Sequence, residues 1–284
     1  MSNGTVWITG AGGLIGSHLV RAAALHAPRR RVLALQRAAL DLADPGAVRR
    51  RFAADPPAAI LHCAALSKTG PCEARPDLAR AVNVTATALL AELAADRPFF
   101  LLSTDLVFDG TRGRYTEADA PNPLNTYAAT KADAEAIVLR NPRHTVVRTS
   151  LNAGVSPTGD RAFNEDLRGA LAAGRTLRLF TDEFRCPIPA AVTARALWEL
   201  LEQGVTGLHH LAGAERLSRW EIGRRLIRRW PGLPGRIEPG SLRDHAGPAR
   251  APDTSLDSSR VQALLRFPLP AFSAWLEAHP EEPL

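Results

Sequence analysis

The chain has 284 residues, 45% of them hydrophobic, which is enough to bury a substantial core in one large domain or in a domain with a smaller lobe. The net charge is +6, but the basic residues are scattered and are not interleaved with aromatic ones, which argues against a nucleic-acid partner. Three unevenly spaced cysteines exclude a disulfide framework, and the eight histidines show no metal-ligand spacing.

The N-terminal sequence bears on location. It enters the strand-like run "TVWIT" without a charged segment followed by an apolar one, as a secretory signal would have. No stretch reaches the length of a membrane span. We therefore expect a cytoplasmic protein with no membrane partner and no bound metal.

The first half of the chain alternates between short apolar strands and helices. Strands are predicted over residues 5–10, 31–37, 58–65, 98–104 and 144–150. Helices are predicted over residues 12–27, 44–54, 76–95 and 126–141. This alternation is typical of an α/β fold in which helices cover both faces of a doubly wound parallel sheet.

The alternation weakens after about residue 150. Helices are predicted over 163–173, 190–203 and 270–279, strands over 177–181 and 207–213, and an arginine-rich segment over 218–230 leads into a Pro/Gly/Arg-rich stretch to about 252. We predict that residues 1–150 form an NAD(P)-binding domain to which 185–213 returns. The smaller, substrate-binding α/β lobe would comprise 151–184 and 214–284.

The glycine-rich stretch "TGAGGLIG" follows the first predicted strand and opens the first predicted helix. Gly10, Gly13 and Gly16 stand three residues apart in it. In this context the first glycine allows a tight turn, the second lets a pyrophosphate approach the backbone, and the third lets the helix pack closely on the sheet. The helix N-terminus would direct N–H groups at the phosphates. We predict a Rossmann-type dinucleotide site.

The end of the second strand bears on which dinucleotide binds. An acidic residue there holds the ribose 2′-hydroxyl of NAD, whereas an arginine suits the 2′-phosphate of NADP. The sequence at this point is Gln36-Arg37. We therefore expect NADP(H), with NAD(H) as the alternative. Asp41 either caps the second helix or hydrogen-bonds the adenine amino group.

The stretch "NTYAATKADAE" brings together one of two tyrosines and one of two lysines, Tyr127 and Lys131. Four residues apart, they face the same side of a helix. A nearby ammonium group lowers the pKa of a phenol from about 10 and makes it a usable general acid or base. Ser103 and Thr104 end the preceding strand, at the sheet edge where ligands bind in such folds. These residues predict a catalytic site.

Five motifs in order, "TGAGGLIG", "HCAA", "STDLVFDG", "YAATK" and "VVRTSLNAG", give the chain a family resemblance. It resembles the extended short-chain dehydrogenase/reductase superfamily and, through "LSTDLVFDGTRGRYTEADAPNPLNTY", its dTDP-4-dehydrorhamnose reductase branch. The resemblance covers residues 4–190 well. It implies that Tyr127 is the proton donor, Lys131 its partner and Thr104 the hydroxyl that binds the substrate oxygen.

The resemblance also implies two sets of binding residues. Around the cofactor, besides the three glycines, it places Leu14, Ile15, Gln36, Arg37, Asp41, Leu42, Ala64, Ala65, Leu66, Asn83, Ser103 and Thr149. Around the substrate it places Ser67, Asp105, Leu106, Leu151, Asn152, Phe163 and Arg185, with Asn164 and Arg168 as further candidates near its phosphates.

The activity implied is NADPH-dependent reduction of a keto group on a nucleotide-linked sugar, in a monomer or homodimer. Hydride would pass from C4 of the nicotinamide to the carbonyl carbon. The branch carries Trp where this chain has Leu151, and in the branch that Trp packs on the sugar. The resemblance therefore predicts the reaction type and leaves the sugar open.

Two alternatives come from other branches. A dehydratase would have Glu in place of Leu106, and an epimerase with permanently held NAD would have an acid near Gln36. A regulatory subunit that binds NADP without turnover is a third possibility. The presence of Thr104, Tyr127 and Lys131 argues against it.

Overall fold

A six-stranded parallel sheet forms the centre of the computed structural model, which describes residues 4–284. Its strands are β1 (Thr5–Thr9), β2 (Arg31–Leu35), β3 (Ala59–His62), β4 (Phe99–Thr104), β5 (Thr145–Thr149) and β10 (Gly207–Leu211). They lie in the order β2-β1-β3-β4-β5-β10, and each neighbouring pair runs parallel. The next strand after β2 therefore pairs on the other side of β1, which opens a crevice at the carboxyl end of β1.

Helices cover both faces of this sheet. They are α1 (Leu14–His26), α2 (Pro45–Ala54), α3 (Thr69–Ala74), α4 (Pro76–Arg80), α5 (Ala86–Leu93), α6 (Thr126–Val138) and α8 (Ala190–Gln203). Successive strand residues point to opposite faces, so Ile8 packs with α1 and α8 while Trp7 packs with α2, α5 and α6. The predicted doubly wound Rossmann-type fold is confirmed.

The C-terminal part forms a second packed cluster. It contains α7 (Phe163–Ala172), α9 (Arg219–Ile227) and α11 (Phe272–Ala278), with the parallel pair β7 (Thr176–Phe180) and β12 (Arg236–Gly240). Helix α10 (Ser259–Gln262) packs instead, through Val261, with the core of the central sheet that contains Ile8. The short strands are β6 (Asn152–Ala153), β8 (Phe184–Arg185), β9 (Ile188–Pro189) and β11 (Leu217–Ser218). Leu171, Leu226 and Phe272 are fully buried in this cluster, whose buried residues all lie within the ranges predicted for the smaller lobe. The division into two domains stays a prediction.

The structure departs from the predicted elements in three places. Helix α3 lies in a stretch for which no element was predicted, and β12 lies in the Pro/Gly/Arg-rich stretch, for which none was predicted either. The single helix predicted over 76–95 is interrupted by a π-helical turn, Ala81–Thr85. Such turns are frequent at functional sites. In the described part of the chain, no helix has the length and apolar character needed to cross a bilayer.

Candidate active site

A cleft of about 1200 Å³ opens at the carboxyl ends of β1, β3, β4 and β5, beside the C-terminal cluster. It lies where the strand order reverses, which is where ligands bind in open α/β sheets. The catalytic residues and the two sets of binding residues predicted above line it, except Asn83 and the further phosphate candidates. The sheet therefore brings together residues that are up to 175 positions apart, from Gly10 to Arg185.

The glycine-rich turn has a backbone that side chains would obstruct. Gly10 has φ +68°, and a Cβ there would lie 2.6 Å from the Ala64 amide nitrogen. At Gly16 a Cβ would lie 2.2 Å from the Gly10 carbonyl oxygen. Gly13 precedes α1, whose first turn carries no acidic residue and no side-chain cap. Its free N–H groups and bare backbone fit a pyrophosphate.

Arg37 lies just beyond the end of β2, with 81% of its side chain exposed. Its Nη2 is 3.5 Å from Oδ2 of Asp41, itself 47% exposed, so neither group is enclosed. The Asp41 carboxylate accepts from the Ala43 amide, whereas α2 is capped by Asp44 through the Ala47 amide. The alternative role of Asp41 as a helix cap is therefore wrong. Arg37 is free to turn toward a 2′-phosphate.

Asn83 does not line the cleft, contrary to the prediction, and is 1% exposed in the π-helical turn. Its amide accepts from the Leu66 N–H at 2.8 Å and donates to the Leu66 carbonyl at 3.1 Å. It also donates to the Thr130 hydroxyl at 2.9 Å. Asn83 thus holds the loop after β3 against α6, and any effect on a cofactor passes through Leu66.

Tyr127, Lys131 and Thr104 meet at the centre of the cleft. Helix α6 carries the first two on one buried face, with Tyr127 9% and Lys131 2% exposed. The Lys131 ammonium donates to the Leu102 carbonyl at 2.8 Å. Thr104, two residues further along β4, lines the same cleft, and its hydroxyl donates to Asp105. A hydroxyl, a phenol and an ammonium thus converge beside the glycine-rich turn.

The protonation of this group differs from the sequence prediction. Burial raises the pKa of Tyr127, and the influence of the Thr104 hydroxyl offsets only part of that rise. The predicted lowering of the Tyr127 pKa is therefore wrong for the protein alone, because burial outweighs the other influences. Burial lowers the pKa of Lys131 to about 8, against the attraction of Glu135. The free protein holds a protonated phenol near neutral pH.

A network of ion pairs forms the opposite side of the cleft. Asp105, 3% exposed, accepts from the Thr104 and Ser150 hydroxyls and lies 3.1 Å from a nitrogen of Arg185. Arg185 also pairs with Glu183 at 3.1 Å, and Glu183 accepts from Arg250 at 2.7 Å. Burial raises the pKa of Glu183, but Arg185 and its other partners prevail and hold it at about 2.

Sequence reasoning missed three cleft residues in this network, Glu183, Arg219 and Arg250. The Arg219 guanidinium lies 5.3 Å from the Phe163 ring centroid, and burial lowers the pKa of Arg219 to about 10. The arginine-rich composition was the only signal, and it does not single these residues out. With two acids and three arginines, this side of the cleft favours an anionic ligand.

Other predicted residues have structural partners. Asn152 lines the cleft, but its amide donates to Thr149 and accepts from Thr193. The two further phosphate candidates lie outside the cleft lining. Asn164 is fully buried and bonds the backbone of Gly154, so its proposed phosphate contact is wrong, and Arg168 is exposed elsewhere. Within residues 4–284, no group of three or more His, Cys, Asp or Glu side chains could hold a metal ion.

The chain is similar in sequence to several named proteins. The probable low-salt glycan biosynthesis reductase Agl14 of Haloferax volcanii is 37% identical over 72% of this chain and 71% of its own length. The dTDP-4-keto-6-deoxy-D-glucose reductase of Streptomyces niveus is 32% identical over 82% and 81%. The methionine adenosyltransferase 2 subunit beta of Rattus norvegicus is 30% identical over 79% and 70%.

Solved structures share the fold along nearly the whole chain. A hypothetical dTDP-4-dehydrorhamnose reductase from Sulfolobus tokodaii superposes with a TM-score of 0.82 at 30% identity, covering 93% of this chain and 96% of that one. A dTDP-4-dehydrorhamnose reductase from Bacillus anthracis in complex with NADP gives 0.87 at 22% identity, covering 97% and 98%. The family model of the RmlD substrate binding domain matches residues 4–282. The chain therefore belongs to the RmlD substrate-binding family, within the extended short-chain dehydrogenase/reductases.

Proposed function

We propose that the protein is an NADPH-dependent reductase that converts a keto group of a nucleotide-linked sugar to a hydroxyl. The observation that carries the proposal is the meeting of Thr104, Tyr127 and Lys131 in the cleft that the glycine-rich turn borders. The named relatives that are reductases, one of them acting on a dTDP-4-keto-6-deoxy sugar, support the substrate class.

The cofactor fits the residues at one end of the cleft. Gly10, Gly13 and Gly16 leave the backbone open to a pyrophosphate, and Arg37 suits a 2′-phosphate. The neighbour from Bacillus anthracis, crystallised with NADP, supports the same choice. NADPH supplies the hydride when bound. The Lys131 ammonium lies within the same cleft and can hydrogen-bond the nicotinamide ribose.

The chain's own residues handle the proton. Tyr127 keeps its proton near neutral pH, because burial raises its pKa, so it can donate to the carbonyl oxygen as negative charge develops there. Thr104 donates a second hydrogen bond to that oxygen by turning its hydroxyl away from Asp105. The positive charge of Lys131 then stabilises the phenolate that remains.

The other end of the cleft suits the nucleotide part of the substrate. Arg219 and Arg250 line it. Together with Arg185 they carry three positive charges against the two negative charges of Asp105 and Glu183, an excess of one positive charge. A diphosphate would meet guanidinium groups that already have fixed orientations. Leu151 supplies an apolar contact where the branch has Trp, so the sugar is not specified by that resemblance.

The test is NADPH oxidation with a dTDP-4-keto-6-deoxy sugar, run beside NADH and beside Tyr127→Phe. We expect oxidation of NADPH that is lost in the variant and slower oxidation of NADH. NADPH binding without turnover for this sugar or related keto sugars would contradict the proposal. It would favour a non-catalytic role, as the likeness to a methionine adenosyltransferase subunit allows.

A further inference from the structure

Helix α6 carries a third polar residue on the face that holds Tyr127 and Lys131. Glu135 follows Lys131 by four residues and is 2% exposed. Its carboxylate accepts from Arg148 at 3.0 Å from Nε and 2.7 Å from Nη2. It also accepts from the Ser103 hydroxyl. The roles proposed above for the catalytic groups do not use this carboxylate.

These bonds tie α6 to two strands at the level of the reacting groups. Ser103 stands on β4 between Leu102, whose carbonyl accepts from Lys131, and Thr104. Arg148 stands on β5 in register with Ser103. One carboxylate thus fixes the helix against β4 at Ser103 and against β5 at Arg148, and with it the placement of its two catalytic side chains relative to Thr104.

Stability alone does not account for this pair. Arg148 is also 2% exposed, its Nη1 is 3.3 Å from Nε2 of His210, and its guanidinium lies 4.9 Å from the Phe108 ring centroid. Replacing a buried ion pair by apolar residues of similar volume is often neutral or stabilising. What apolar residues cannot supply is a negative charge one helical turn from Lys131.

We propose that Glu135 is a positioning residue for the reduction, which keeps the Lys131 ammonium charged and aligned with Tyr127. Arg148 and Ser103 in turn hold the Glu135 carboxylate in place by donating hydrogen bonds to it. The proposal rests on the proposed function for its catalytic consequence, but its electrostatic part concerns the free protein and can be measured without substrate.

The surroundings of Lys131 make Glu135 the main source of negative charge near it. Tyr127 lies on α6, while His62 ends β3 and Cys63 follows it. Burial raises the pKa of Cys63 to about 12, and burial lowers the pKa of His62 to about 3, so both are neutral near pH 7. Among the groups around Lys131, the Glu135 carboxylate is the strongest influence against the lowering of the Lys131 pKa by burial.

Lysine NMR tests this directly, because the chain has only two lysines, Lys68 and Lys131. We would titrate carbon-13-labelled lysine in the wild type and in E135Q/R148M, which removes both members of the ion pair and leaves no unpaired guanidinium. We expect the pKa of Lys131 to fall by about one unit in the variant. The exposed Lys68 serves as the internal reference.

Glu202→Gln is the matched control, since Glu202 pairs with Arg30 at 2.7 Å away from the cleft. It should leave the Lys131 titration unchanged. If the double variant does not fold, E135Q keeps the side-chain shape and an acceptor for Ser103 and takes its place. An unchanged Lys131 pKa in either folded variant would overturn the proposal.

Kinetics give the catalytic readout. In the folded variant we expect kcat to fall about 10- to 100-fold, while KM for NADPH stays within about twofold. A wild-type kcat in that variant would overturn the positioning role. If the wild type itself reduces no keto sugar, the proposed function fails, whereas the lysine titration still decides the role of Glu135.

Discussion

The cofactor side and the substrate side of the cleft are formed by different kinds of groups. The cofactor side begins at the glycine-rich turn, where Gly10 and Gly16 leave no room for a side chain, and the charged side chains at its rim, Arg37 and Asp41, are exposed. The substrate side is a set of buried charges from distant segments, in which Asp105, Arg185 and Glu183 hold one another. We therefore expect an added atom to damage the cofactor side and the removal of a charge to destabilise the substrate side.

Tyr127 lies between the two sides, and its loss should have the largest effect. We expect Tyr127→Phe to lower kcat about 10²- to 10⁴-fold, since a positioned general acid contributes that much. Both sides should stay intact, so NADPH affinity and the melting temperature should change little. Stopped-flow absorbance and a thermal melt check this. A variant that keeps more than about a tenth of wild-type kcat would remove Tyr127 from the proton-donor role.

Removing a charge from the substrate side should destabilise the fold. Asp105→Asn removes one of the two carboxylates that pair with the buried Arg185, which costs up to about 3–5 kcal/mol in the free energy of unfolding. Urea denaturation measures this. The control is Glu92→Gln. Glu92 pairs with Arg49, and the two side chains are 65% and 53% exposed, so this change should alter the free energy of unfolding by about 0.5 kcal/mol or less. Equal effects would show that the network's burial is unimportant.

Adding an atom to the cofactor side should cost less. Gly10→Ala places a Cβ against the Ala64 backbone at a positive φ, so we expect a loss of about 1–3 kcal/mol and weaker NADPH binding. Gly12→Ala is the control for stability, because its Cβ would meet only the Gln36 side chain at 3.6 Å. Matching melting temperatures for the two variants would contradict the difference between these positions.

Charge should matter on the cofactor side only at its solvent-exposed rim. We expect Arg37→Glu to raise the Kd for NADPH about tenfold and to leave that for NADH unchanged, since only NADPH carries a 2′-phosphate. Arg31→Glu alters the other end of β2 and should change neither value. Fluorescence titration measures both. Equal weakening for the two cofactors would exclude Arg37 as the 2′-phosphate contact.

The pH dependence should reflect Lys131. Because burial lowers its pKa to about 8, the charged form is present below that pH and is lost as pH rises through it. We expect kcat/KM for NADPH to fall above about pH 8, approaching tenfold per unit. This limb should be missing in Lys131→Met, which has low activity throughout. A wild-type profile that stays flat to pH 9.5 would contradict the assignment.

The same contrast explains what sequence could predict. The glycine spacing, Tyr127–Lys131 and Thr104 are local patterns that follow strands and helices, and the structure gathers them in one cleft. Glu183, Arg219 and Arg250 come together only through tertiary packing, so no spacing announces them. The pKa of Tyr127 was mispredicted for the same reason, because burial is a property of the fold.

The most direct test of the reductase is transfer of deuterium from C4 of labelled NADPH to a dTDP-4-keto-6-deoxy sugar, followed by mass spectrometry. We predict that the wild-type product gains one deuterium at C4 of the sugar and that Tyr127→Phe gives little labelled product in the same time. Tight NADPH binding, with the keto sugar recovered unlabelled and unreduced, would contradict the assignment and favour a binding subunit.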